Sequence, residues 1–238
     1  MNDYQTFAYS PNLTIEVLPH ARGFSLSDHE KLLIENIWRH EENLASSLHN
    51  GQIFNVISLE GDKIIGEFVE YKYYLAQQRD TNFEPALQIK TLSISGITTT
   101  VDKILVGQRS ATVTTYQNYY ELVPSGGIDP RAQQGNQINI KRQFELELWE
   151  ESGISVTEIK SIKPVAIFYD LKNKIYEACA ELNINYTILK ESLHPSDEYQ
   201  KLEWISKREI QGFVQKHSHE FVPFSIYLLE EYKKKSLR

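Results

Sequence analysis

Residues 122–154 read LVPSGGIDPRAQQGNQINIKRQFELELWEESGI, from Leu122 to Ile154. A strand-like run closes on Pro124, the paired glycines Gly126 and Gly127 make a turn, a polar loop follows, and a helix is expected to stop at Gly153. Three carboxylates of that helix, Glu147, Glu150 and Glu151, fall at positions i, i+3 and i+4 and share one face. So placed, they repel one another unless something positive lies between them. Hard divalent cations such as Mg²⁺ take oxygen ligands and are commonly shared between carboxylates and substrate phosphates. Phe144, Leu148 and Ile154 mark an apolar side with Trp149 at its margin, so the helix packs and its carboxylates form a fixed stripe. The paired glycines permit positive φ and close approach to a ligand, which makes Gly126 and Gly127 substrate-binding candidates.

This stretch resembles the Nudix box, G-x5-E-x7-R-E-U-x-E-E-x-G-U, where U is a bulky aliphatic residue. Glu147, Leu148, Glu150, Glu151, Gly153 and Ile154 match its second half in order and spacing, and Gly127 resembles its opening glycine. The resemblance implies an α/β Nudix fold, a mixed sheet sandwiched between helices, with a small N-terminal α+β subdomain. It implies Mg²⁺ or Mn²⁺ as cofactor, with Glu147, Glu150, Glu151 and the backbone carbonyl of Gly127 as metal ligands. The implied activity is Mg²⁺-dependent hydrolysis of a nucleoside diphosphate sugar, or a related nucleoside diphosphate derivative, to a nucleoside monophosphate and a sugar phosphate. Glu150, Glu151 and Glu198 are the catalytic candidates, and a glutamate among these and Glu147 would take the proton of the attacking water. Arg109 matches an arginine that the family often places near the substrate phosphates. Three features depart from the signature. Leu146 stands in place of the arginine, Ile138 in place of the first glutamate, and the loop is about five residues longer. Arg142, one turn before Leu146, could reach the same face. A ligand-binding protein on the same scaffold, weak or inactive in hydrolysis, would show the same departures; a prenyl diphosphate is an alternative substrate.

The chain of 238 residues suits one large domain or a small one with a medium one. Residues 1–88 read as an N-terminal α+β region and 89–238 as the Nudix-like domain, with no Gly/Ser-rich linker at the soft boundary near 85–90. Apolar residues make up 41%, enough for a sizeable core. The net charge of −7 argues against broad nucleic-acid binding, which rests on basic surface. A small-molecule diphosphate is the expected partner, with no nucleic acid and no membrane, and a homodimer is left open. The single cysteine, Cys179, excludes an internal disulfide and sits in an apolar run that reads as core. No signal peptide opens the chain and no apolar run approaches membrane-spanning length, so a cytoplasmic location is expected.

In chain order, I-E-V-L after Thr14 reads as an edge strand, and Ser27 with Glu30 as a capping box opening a helix. Leu33, Ile37, Leu44 and Leu48 recur at helical spacing, with Ile34 and Trp38 beside them, and His49-Asn50-Gly51 suits the cap. I-F-N-V-I-S-L-E and K-I-I-G-E-F-V-E-Y form a hairpin, and the tyrosines of Y-K-Y-Y-L-A-Q-Q-R-D read as half-buried strand faces. Strands are expected over 87–97, at I-L-V-G-Q-R-S and at Y-Q-N-Y-Y-E-L-V-P, then as a pair running from Val156 to Tyr186. Glu198 lies in an acidic loop before a tryptophan strand, Ser206 and Glu209 suggest a second capping box, and His217 and His219 a polar turn.

Overall fold

The computed structural model describes residues 3–44, 48–185 and 193–236. Strands β1 (Tyr4–Phe7) and β2 (Thr14–Val17) precede helix α1 (Asp28–Leu44). Strands β3 (Gln52–Glu60) and β4 (Lys63–Glu70) lead to helices α2 (Tyr71–Arg79) and α3 (Glu84–Leu87). Then come β5 (Thr91–Thr99), β6 (Lys103–Arg109), β7 (Tyr120–Leu122), β8 (Ser125–Gly127), β9 (Gln133–Gln134) and β10 (Gln137–Ile138). Helix α4 (Ile140–Ser152), strands β11 (Ile159–Asp170), β12 (Ile175–Ile184) and β13 (Tyr199–Ser206), and helices α5 (Ile210–Lys216) and α6 (Pro223–Ser236) complete the chain. Mixed sheet and helices make this an α/β protein. The chain divides into two compact units.

The first unit comprises Met1–Ser93, Gly127–Ile140 and Ile167–Glu177. Its β3–β4 hairpin turns at Gly61, whose φ of +56° suits glycine, and carries a register shift between Val56 and Ser58. β2 runs parallel to β4 and also pairs with β10, so it is an interior strand and not the edge expected from its loose alternation. The Ser27–Glu30 capping box forms: the Glu30 carboxylate accepts from Ser27 N at 2.7 Å, and Ser27 Oγ accepts from Glu30 N at 3.2 Å. In α1 the inward face is Ile34 and Trp38, with Ile37 partly covered, whereas Leu33 and Leu44 are exposed. The apolar stripe is therefore rotated by one residue from the Leu33–Ile37–Leu44 reading. Helix α1 is described as far as Leu44, 45–47 lie outside the described residues, and the expected cap residues His49-Asn50-Gly51 have no helical backbone; Asn50 instead serves α2, accepting from Lys72 N at 2.9 Å.

The tyrosine-rich run after β4 is the helix α2 and not a strand. Lys72, Leu75, Ala76, Gln77, Gln78 and Arg79 are good helix formers, and their summed preference outweighs the strand tendency of three tyrosines. Leu75 and Ala76 face inward, and Ala76 joins Ile34, Val69, Phe83, Leu87 and Ile89 in the core of this unit. Leu87 closes α3 and β5 starts at Thr91, later than the alternation from Leu87 suggests, because Gln88 takes a left-handed φ of +48° that breaks the run.

The second unit comprises Ile94–Gly126, Lys141–Ala166 and Ala178–Arg238. β6 is its hub and pairs antiparallel with β13, β7 and the end of β5. Of the Y-Q-N-Y-Y-E-L-V-P run only Tyr120–Leu122 is strand, since Tyr116 and Asn118 adopt positive φ in the preceding loop. In α4, Phe144 and Leu148 are fully buried while Trp149 is 58% exposed. Gly153, with φ of +74°, donates to Trp149 O at 2.8 Å and ends the helix as expected. Cys179 is buried, as its apolar run suggests. Helix α5 opens without the expected side-chain box: Glu209 N donates to the Ser206 carbonyl and Ser206 Oγ accepts from Arg208 N. Lys233, Lys234 and Lys235 end α6, where cations complement the helix dipole. Among the described residues no helix is long and apolar enough to cross a membrane.

Candidate functional site

Helix α4 presents its acidic stripe to the segment Ser125–Gly126. A Cβ built on Gly126 would lie 2.6 Å from Glu147 Cδ and 2.6 Å from Glu147 Oε2, so glycine is required here by the close approach of a carboxylate. Positive φ, the other reason for reading a glycine pair, does not apply: Gly126 and Gly127 lie in β8 with strand geometry. Gln143, buried one turn earlier on α4, donates from Nε2 to Glu147 Oε1 at 2.7 Å and fixes that carboxylate.

Glu151 lies one turn beyond Glu147 and is 2% exposed. Ser125 N donates to both of its oxygens, at 3.3 Å to Oε1 and 3.1 Å to Oε2. Burial raises its carboxyl well above the ordinary glutamate range, and the negative charges of Glu121, Glu147 and Glu198 push it further the same way. The Ser125 N–H opposes them weakly. Glu121, on β7 and 3% exposed, is held by Arg109 Nη1 at 2.6 Å and by the Tyr199 hydroxyl at 2.6 Å. Arg109 resists burial and stays protonated through the charge of Glu121, and its Nε donates to Thr115 O at 3.1 Å. Burial and the adjacent carboxylates hold the Tyr199 hydroxyl far above its usual range, so it acts as a donor.

The sequence candidates are distributed as follows. Glu147 and Glu151 are on adjacent turns facing Ser125–Gly126, and Glu150 is half-buried on the same helix. Glu198 is exposed in the turn just before β13 and acts electrostatically on both Glu121 and Glu151, while its backbone carbonyl accepts from Ser110 N at 2.7 Å. Arg109 is 15% exposed and engaged by Glu121 and Thr115, so a phosphate would have to compete with both. Gly127 belongs to the first unit. Sequence reading passed over Glu121 and Tyr199. The signal for Tyr199 was Gly107, a glycine inside the apolar strand I-L-V-G-Q-R, where a Cβ would collide with the Tyr199 ring. Glu121 left no such mark, since alternation alone makes it an outward-facing strand residue.

The donor set is entirely oxygen, and carboxylates outnumber the single guanidinium among them, which is the chemistry that hard divalent cations favour. Among the described residues no three His, Cys, Asp or Glu side chains already stand within holding distance of one ion, so the carboxylates would have to close on it. The fit is one of charge and donor type.

No protein-family model matches the chain, and no curated protein matches it. Solved structures do. A crystal structure of DR0079 from Deinococcus radiodurans aligns at TM-score 0.50 and 15% identity, covering 76% of this chain and 99% of that one. A bifunctional NMN adenylyltransferase/ADP ribose pyrophosphatase from Francisella tularensis aligns at TM-score 0.50 and 13% identity, covering 69% of this chain and 46% of that one. A NUDIX hydrolase from Nitrosomonas europaea aligns at TM-score 0.42 and 16% identity, covering 61% and 90%. The chain has the Nudix fold. At these identities the likeness is one of fold, and the chemistry has to come from the side chains. On this Nudix scaffold the acidic face of α4 is the feature to explain.

Proposed function

We propose that this chain is a divalent-cation-dependent pyrophosphohydrolase of the Nudix type that cleaves a nucleoside diphosphate derivative, with a nucleoside diphosphate sugar as the substrate class. One observation carries the reading: Glu147 and Glu151 of one helix converge on Ser125–Gly126, and the charges acting on buried Glu151 are those of three more carboxylates. A protein selected for stability alone gains nothing from this arrangement, because burying like charges together is costly.

Glu147, Glu150 and Glu151 would hold Mg²⁺ or Mn²⁺, which supplies neutralisation of the diphosphate oxygens and a lower pKa for bound water. Gln143 fixes the Glu147 carboxylate before substrate arrives, and Ser125 N holds the Glu151 carboxylate against β8 through both of its oxygens. Water attacks one phosphorus, the phosphoanhydride P–O bond breaks, and the departing phosphate oxygen leaves with the sugar phosphate or the nucleotide. Glu198, exposed and within electrostatic reach of Glu151, is the base assigned to the water's proton. Arg109 is assigned to the substrate phosphates, in competition with Glu121.

The test is product analysis over a panel of nucleoside diphosphate sugars, ADP-ribose (named for the Francisella neighbour) and a prenyl diphosphate, with Mg²⁺, with Mn²⁺ and with chelator. A nucleoside monophosphate released only with metal is the expected result. Thermal shifts by nucleotides without turnover would overturn hydrolysis and favour the ligand-binding alternative. The specific observation behind that alternative is Ile138, a buried residue where the signature has its first glutamate.

A further inference from the structure

Tyr199 is 3% exposed, and its ring lies against β6 where Gly107 leaves room for it. Its hydroxyl is 2.6 Å from Glu121 Oε1 and 3.4 Å from Glu151 Oε1. A phenol has one proton, so the short bond goes to Glu121 and Glu151 receives the weaker share. Glu121 Oε1 is also gripped by Arg109 Nη1 at 2.6 Å, and Arg109 is tied through Nε to the Thr115 carbonyl. A hydrogen-bonded line therefore runs from the exposed Thr115 carbonyl through half-buried Arg109 to the buried side chains of Glu121 and Tyr199, with a longer last contact to Glu151. Leu146, where the Nudix signature has an arginine, offers no donor to any glutamate. Among the described residues, the donors that reach the Glu151 carboxylate are the Ser125 N–H and the Tyr199 hydroxyl, both uncharged.

We propose that Tyr199, anchored by Glu121 and Arg109, is a positioning residue that sets the direction of the Glu151 carboxylate for a divalent cation. The proposal rests on the metal-dependent reading above and deepens it. Ser125 N contacts both Glu151 oxygens and so does not choose between them; the weaker contact of the hydroxyl with Oε1 favours one orientation of the carboxylate. An uncharged donor is suited to this task, because it orients the carboxylate without cancelling the negative charge that a cation needs.

Tyr199→Phe removes the hydroxyl and keeps the ring on Gly107. Tyr232→Phe is the matched control, since Tyr232 donates at 2.6 Å to Glu181 and no candidate site residue takes part. Mn²⁺ alone is titrated into each protein and free Mn²⁺ is read by its paramagnetic resonance signal. Tyr199→Phe is expected to weaken Mn²⁺ about tenfold, the scale seen when a ligand loses its outer partner. It is also expected to lower kcat about tenfold, with KM for the diphosphate within about twofold, while Tyr232→Phe changes neither. Mn²⁺ affinity and kcat both within about twofold of wild type in folded Tyr199→Phe would overturn the proposal. If Tyr199→Phe does not fold, Glu121→Gln decides: it removes the charge that anchors the hydroxyl, and unchanged Mn²⁺ affinity would overturn the proposal equally. Wild type that hydrolyses no diphosphate, yet binds Mn²⁺ more tightly than Tyr199→Phe, would sink the hydrolase reading and leave the positioning role standing. Wild type with no measurable Mn²⁺ binding would overturn both.

Discussion

Two glutamates are almost equally buried, and their surroundings are opposite. Glu67, on β4 of the first unit, is 2% exposed and accepts from Arg22 N at 2.6 Å, from Arg22 Nε at 3.3 Å and from Asn55 Nδ2 at 3.4 Å. Its negative charge meets a guanidinium and polar hydrogens. Glu151, on α4 of the second unit, is also 2% exposed, but among the described residues the charges acting on it are the negative ones of Glu121, Glu147 and Glu198. A buried carboxylate that serves folding is given a cation, as Glu67 is. One kept among other carboxylates is held for something that arrives later. Burial alone does not separate the two; the sign of the neighbours does.

The largest stability effect is expected from removing the cation of the second cluster. Arg109→Met leaves Glu121 buried without its charge partner and should cost on the order of 3–5 kcal/mol in denaturant unfolding. A loss no greater than that of a surface substitution would mean that Glu121 is solvated and the contrast with Glu67 is overstated. Next comes Gly126→Ala, whose methyl would meet the Glu147 carboxylate and so cost roughly 1–3 kcal/mol through overpacking. Hydrolysis should fall with it, and full activity with bound Mn²⁺ would show that the approach of Glu147 to Ser125–Gly126 is incidental. Ser27→Ala breaks a satisfied capping box at an exposed helix start and is the smallest effect, a drop in melting temperature of a few degrees with hydrolysis unchanged. Altered hydrolysis in that variant would dissolve the separation between folding carboxylates and site carboxylates.

The acidic face of α4 was legible because helical spacing fixes which residues share a face, and because Gly153 marks where the helix stops. At Gly126 the sequence suggested room for a ligand and a positive φ; the space is taken by the Glu147 carboxylate and the backbone is extended, a contact that spacing along the chain does not encode. The tyrosine-rich α2 was misread since aromatic content and helix propensity conflict over those residues and only packing decides between them. In α1 the stripe of leucines and the buried pair Ile34 and Trp38 are neighbours on the same helix, and a tertiary contact selects the second. Glu121 and Tyr199 come from strands far apart in sequence, β7 and β13, that meet only through β6. No local pattern encodes that meeting, so these two members of the candidate site were invisible until the sheet was formed.

The direct test of the central claim is a paired melting and hydrolysis measurement on Glu67→Gln and Glu151→Gln. Glu67→Gln should lower the melting temperature, by about 1–3 kcal/mol of stability, and leave hydrolysis close to wild type. Glu151→Gln should hold or raise the melting temperature, because it removes a carboxyl whose ionisation is opposed by burial and by its neighbours, and should cut kcat by roughly 10²–10³. A Glu151→Gln protein that melts lower, as Glu67→Gln does, and still turns over substrate would contradict the account.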